Sequence, residues 1–140
     1  MPAISASVTN RQGQHDVSLT TNDRQHSLTI PSGASGFGSS ANGGELLFLA
    51  LATCYCNDIY REAAKQNITV RSVEVTVNGE FDPVPGSVAR NVTYSARVEA
   101  EATAEQIEAL MRHTDTVAEI HNTLRQAGSV TLTATEAIPV

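Results

Sequence analysis

The sequence predicts an α+β domain, with helices on one face of a mainly antiparallel sheet, and three observations predict it. Short runs alternate apolar and polar residues through the N-terminal third. A glycine-rich stretch then leads into a long segment dense in Leu and Ala. Two longer alternating runs and a second helical segment follow it. The predicted order is β-β-β-α-β-β-α-β. At 140 residues the chain is expected to form a single domain, residues 1–140, large enough to bury its own core.

Ile4, Ala6 and Val8 alternate with polar residues, and Arg11-Gln12-Gly13 reads as a turn. Val17 and Leu19 alternate again before Asn22-Asp23, and Leu28 and Ile30 suggest a third strand. Residues 31–44, PSGASGFGSSANGG, hold Gly33, Gly36, Gly38, Gly43 and Gly44, too little side chain to stabilise regular structure, so a loop is expected. A helix should then run roughly from Gly44 to Gln66. Its first half is apolar on every face, which predicts burial on every face, and its second half carries Asp58, Arg61, Glu62 and Lys65. Asn67 suits a C-terminal cap.

Val70, Val73, Val75 and Val77 alternate with one slip, and Val92, Tyr94, Ala96 and Val98 form a matching strand beyond the proline-rich loop FDPVPGS. Thr103 and Gln106 have the spacing of a capping box that opens a second helix. A second possible start at Thr116 with Glu119 predicts a bend or break near Thr114-Asp115. Gly128 should end that helix, and Val130 to Ala134 should form the last strand.

Composition narrows the function. Nine Lys and Arg against fifteen Asp and Glu give a net charge of −6. That field repels polyanions, so neither nucleic acid nor an acidic membrane is an expected partner. No secretory signal is visible and the longest apolar run, Leu46 to Ala52, is far below the ~20 residues of a membrane span, so a cytoplasmic location is expected. With two cysteines, neither a disulfide framework nor a four-cysteine zinc site is available within one chain, and no cofactor is implied.

Those cysteines, Cys54 and Cys56, are the sharpest chemical feature. Two residues apart on a helix, they point about 200° from each other and are not placed to pair. Either one is reactive while the other packs, or both are small core residues. Glu45, at the start of the helix, is either a stabiliser of the helix dipole or an orienting carboxylate. It lies on the Cys56 side, but ~16 Å away along the axis. His15, His26, His113 and His121 lack the i, i+3 or i, i+4 spacing of helical metal ligands, so no metal is expected, and solvated or capping roles are. The glycine-rich loop lacks both the Lys-Ser/Thr ending of a P-loop and the G-x-G-x-x-G pattern.

The run Asn42-Gly-Gly-Glu45-Leu46-Leu47, followed by Ala50-Leu51-Ala52-Thr53-Cys54, resembles the OsmC/Ohr family of osmotically inducible and organic-hydroperoxide-resistance proteins. The resemblance continues through Ile68–Val77, Val117–Ile120, Thr123–Arg125 and the end of the chain. It implies an intertwined homodimer, with central helices packed between sheets and two sites at the subunit interface. It also implies thiol-dependent reduction of organic hydroperoxides, with Cys54 as nucleophile passing to a sulfenic acid. In the family an Arg and a Glu acidify that thiol and a second cysteine resolves the product. By this resemblance the chain reads as a divergent member: Thr114-Asp115-Thr116 stands where the second cysteine is expected, so an external thiol is implied. Gly43-Gly44 replaces the usual Pro-Glu, which shifts the candidate carboxylate to Glu45. The loop from Gly33 to Ser40 has no Arg, leaving Arg11 or Arg24 as candidates, and Cys56 does not match the resolving position. The alternative reading is a non-catalytic dimer that binds a small apolar ligand in an interface pocket.

Overall fold

The computed structural model describes residues 2–126, 128 and 130–134. It has the expected α+β class and divides into two compact units, residues 1–47 and 48–140.

The first unit is a three-stranded antiparallel sheet in the order β1-β2-β3, with β1 at Ile4–Arg11, β2 at Gln14–Thr21 and β3 at Arg24–Ser27. Two tight turns join the strands, with Gly13 at φ 73° and Asn22 at φ 53°, left-handed conformations suited to Gly and Asn. The third strand ends at Ser27, so Leu28 and Ile30 lie beyond it. The loop that follows is ordered by its own backbone. Gly33 and Gly38 are joined by an N–H···O bond, Ser32 bridges Ser39, and Asn10 both donates to Gly38 O and accepts from Gly38 N–H.

Helix α1, Gly43–Lys65, opens with a reciprocal cap. Glu45 N–H donates to Asn42 Oδ1 at 2.8 Å, and Asn42 N–H donates to Glu45 Oε1 at 3.0 Å. It closes at Asn67, φ 56°, where Ile68 N–H reaches back to Ala63 O and Asn67 N–H to Ala64 O, the Schellman pattern.

In the second unit, β4 (Thr69–Phe81) and β5 (Ala89–Glu101) form a long antiparallel pair. The slip in the valine pattern is a bulge: register shifts between Val70 and Ser72 and again between Asn78 and Glu80. It keeps Val73, Val75 and Val77 on one face, opposite Val98, Ala96 and Tyr94. Against that face pack Tyr55, Ile59 and Ala63 of α1 and Leu110 of α2, the buried core. The buried positions of α1, Leu51, Tyr55, Asp58, Ile59, Glu62 and Ala63, form one helical stripe.

The first half of α1 is not enclosed within this chain: Leu49 is 53% exposed, and Leu46, Leu47 and Phe48 are only half-buried. One hairpin of sheet covers one face of a helix, so within a single chain the burial of α1 is one-sided.

Helix α2, Ala104–Val117, has the expected capping box between Thr103 and Gln106. The break comes at Ala118, later than Thr114-Asp115, and α3 is Glu119–Arg125. Thr114 and Thr116 do not interrupt the helix, because their hydroxyls bond back to Leu110 O and His113 O. Ala118 is extended at ψ 110° and fully buried. The final strand expected at Val130–Ala134 is not formed: these residues pair with no strand among the described residues, and Val130 and Leu132 are exposed. Among the described residues no helix is long and apolar enough to cross a membrane.

Candidate active site

Helical spacing puts Cys54, Asp58 and Arg61 on one side of α1, since residues three and four apart are neighbours. Cys54 is half-buried and its thiol donates to Asp58 Oδ2 at 3.6 Å. Across the fold, the first residue of α3 brings Glu119 Oε2 to 3.9 Å from the same sulfur. Arg61 Nη1 ties the two carboxylates together, at 3.0 Å from Asp58 Oδ1 and 3.1 Å from Glu119 Oε1.

This arrangement holds the thiol protonated. Burial pushes the Cys54 pKa up from its ordinary value, and the charges of Asp58 and Glu119 push it further; an interaction with the Ile120 backbone opposes them. Asp58 is itself raised, first by burial and then by Glu119, against the pull of Arg61. The Glu119 carboxyl is lowered, first by its own backbone N–H.

Behind Arg61 stands Glu62, 4% exposed, which accepts from Arg61 Nε at 2.9 Å and Lys65 Nζ at 2.8 Å and meets His113 Nε2 at 2.7 Å. These partners, Lys65 first, hold its carboxyl down to about 2. On the other side of Tyr55, three rings meet: Tyr55 and Tyr94 at 5.0 Å, and Tyr94 and His121 at 4.7 Å, both edge-on. The Tyr94 hydroxyl donates to Asp115, which Arg125 also binds at 2.8 Å. Burial pushes Tyr55 up to about 12 and raises Tyr94 further still, while the Tyr94 hydrogen bond lowers Asp115. His121 is buried with neither ring nitrogen partnered among the described residues, so it is not the solvated or capping residue expected. The α3 backbone carries it under the tyrosines, a placement no local spacing encodes.

Glu45 is engaged in the α1 cap. Arg11 ends β1 and Arg24 begins β3, both in the N-terminal unit, and neither makes an ion pair among the described residues. Cys56 lines an open groove of about 240 Å³ with Ala52, Thr53, Asn57, Val73 and Val75. The residues gathered at Cys54 are therefore Asp58, Arg61 and Glu119. The first two were readable as an i, i+4, i+7 series from Cys54; Glu119 was legible only as part of a helix start, with nothing to tie it to Cys54.

The same three side chains, Cys54, Asp58 and Glu119, offer ligand atoms within 4.8 Å of one another, the spacing of a metal site. Arg61 already supplies a cation to both carboxylates. A thiol set in an ion-pair network on the central helix of an α+β fold defines a class of thiol-bearing proteins.

Comparison narrows that class. The family model described as OsmC-like protein matches residues 36–133, and the chain belongs to that family. Its fold is similar to an OsmC-like protein from Mycoplasma pneumoniae, with 18% identity over 91% of this chain and 89% of that one, TM-score 0.62. It is also similar to the organic hydroperoxide resistance protein OhrB of Bacillus subtilis, with 20% identity over 88% of this chain and 92% of that one, TM-score 0.53. A hypothetical protein from Aquifex aeolicus is comparable in fold, 12% identical over 91% and 89%, TM-score 0.63. No curated protein matches the chain significantly.

Proposed function

We propose that this chain is an oxidative-stress protein that reduces organic hydroperoxides through Cys54, acting as a cytoplasmic homodimer with an external thiol as reductant. The observation that carries the reading is the setting of the sulfur, 3.6 Å and 3.9 Å from two carboxylates bridged by Arg61. A cysteine serving only as a core residue has no use for such neighbours. Hydroperoxide resistance, in the name of the Bacillus relative, supplies the substrate class.

Attack of sulfur on the peroxide converts thiol and hydroperoxide to sulfenic acid and alcohol. A first external thiol condenses with the sulfenic acid to a mixed disulfide and water. A second releases Cys54 as thiol and leaves as the external disulfide. An internal resolving step is not available: Thr114 is buried at the position concerned, and Cys56 points to the other side of α1. The homodimer reading rests on the open apolar first half of α1, with Leu49 and its half-buried neighbours.

Incubation with an organic hydroperoxide and a dithiol should give turnover, with sulfenic acid trapped at Cys54. Cys54→Ser should abolish it and Cys56→Ser should leave it. Activity in Cys54→Ser equal to the parent overturns the reading. The raised thiol favours a second reading, a non-catalytic dimer binding a small apolar ligand, and absence of any trapped sulfenic acid in the parent selects it. Sedimentation as a stable monomer at micromolar concentration would remove the homodimer from both.

A further inference from the structure

We propose that Asp58 is a catalytic residue of this reaction: its carboxylate takes the Cys54 proton as the sulfur attacks and returns it to the departing alkoxide. The inference rests on the peroxide-reduction reading above and adds the group that moves the proton.

The geometry singles out Asp58. Its Oδ2 accepts from the Cys54 thiol at 3.6 Å, while its other oxygen, Oδ1, is fixed by Arg61 at 3.0 Å. One oxygen is anchored and the other is aimed at the reacting atom. The Asp58 side chain is 8% exposed, so water competes little for it, whereas that of Glu119 is 65% exposed. Arg61 Nη1 is engaged by the two carboxylates, at 3.0 Å from Asp58 and 3.1 Å from Glu119, and the groups the sulfur itself meets are their oxygens. A sulfur surrounded by negative charge becomes a strong nucleophile only as its proton leaves. Burial raises the proton affinity of Asp58, which suits a group that must accept a proton and give it up again in one turnover.

The step balances. The S–O bond forms as the O–O bond breaks, and the electron pair of the O–O bond departs on the alkoxide. The thiol proton passes through the Asp58 carboxyl to that alkoxide, leaving sulfenic acid, alcohol and an unchanged carboxylate. Sulfur is oxidised and the peroxide reduced.

The test uses the full chain carrying Cys56→Ser, so that only Cys54 reports. Its single-turnover rates with cumene hydroperoxide and with iodoacetamide, a neutral alkylating agent, are compared from pH 6 to 9. In Asp58→Asn, alkylation at pH 7 should rise severalfold because a negative charge has gone from beside the sulfur. Sulfenic acid formation should fall by about tenfold or more, because the proton carrier has gone too. Asp58→Glu should recover part of the peroxide rate. Two rates that rise together in Asp58→Asn overturn the proposal, since Asp58 then acts only on thiol acidity. If Asp58→Asn does not fold, the unsubstituted Asp58 protein decides: its peroxide step should slow by about twofold or more in deuterated solvent at pH 6, and an unchanged rate overturns the proposal. No sulfenic acid with Asp58 present overturns the peroxide reading itself, and this is seen before any Asp58 variant is made.

Discussion

The Cys54 sulfur lies 3.9 Å from Glu119 Oε2, a residue 65 positions further along the chain. Glu119 adds negative charge beside a thiol whose pKa already lies above the ordinary 9.0. The rate of Cys54 alkylation should therefore keep rising with pH through 9, with no plateau near neutrality. Glu119→Gln should move the whole profile to lower pH and raise the rate at pH 8 severalfold. A plateau near pH 7 in the parent would show a stabilised thiolate and refute the assignment. The sign for stability follows: because folding raises this pKa, the stabilising effect is complete below the unfolded value and fades as pH rises through the folded one.

Glu62 should dominate acid sensitivity. Its folded pKa of about 2 lies below the ordinary 4.5, so its contribution is complete above 4.5 and disappears as pH falls toward 2. Denaturant unfolding of the parent should lose stability across that window, and Glu62→Gln should flatten the slope there while being less stable at pH 7. Parallel curves for the two proteins would contradict the role given to Lys65, Arg61 and His113.

His121 sets a second window, nearer neutrality. Burial lowers its pKa from 6.5, Arg125 lowers it further and Asp115 opposes. The unfolded chain then takes up the proton first, so stability is complete above 6.5 and declines as pH falls below it. His121→Phe, against Tyr55 and Tyr94, should remove this decline between pH 7 and 5. A denaturation midpoint equally pH-dependent in both proteins would count against it.

Ile59, fully buried against the β4–β5 face, is the clearest stability probe. Ile59→Ala should cost about 2–5 kcal/mol by urea unfolding. A cost under about 1 kcal/mol would mean that the core closes around the gap.

Local chemistry made much of the fold legible. Asn67, the Thr103–Gln106 pair and the slip after Val70 each act over a few residues, and each appears as a cap or a bulge. Residues 130–134 alternate as a strand does, yet alternation confers strand structure only when an edge is there to pair with. The site was half legible: Cys54 could be named, and its helical neighbours Asp58 and Arg61 were in plain view. Glu119 and His121 arrive through the break at Ala118, and the tertiary packing that positions α3 leaves no periodic signal. The Glu45 carboxylate reads from the sequence as a stabiliser of the helix dipole or an orienting group; in the structure it accepts from Asn42 N–H at the start of α1.

The two carboxylates beside the sulfur differ in accessibility, Asp58 enclosed and Glu119 open to solvent. Natural selection meets them differently. Changing Asp58 disturbs the buried face of α1, so that position is costly to explore. Glu119 is exposed, and exchanging it for a basic residue would break its pair with Arg61 and reverse the local field on the thiol without disturbing a core side chain. The scaffold thus separates an evolutionary dial from the parts that must stay fixed: reactivity can be retuned from a single surface position while the packed helix beneath it is preserved.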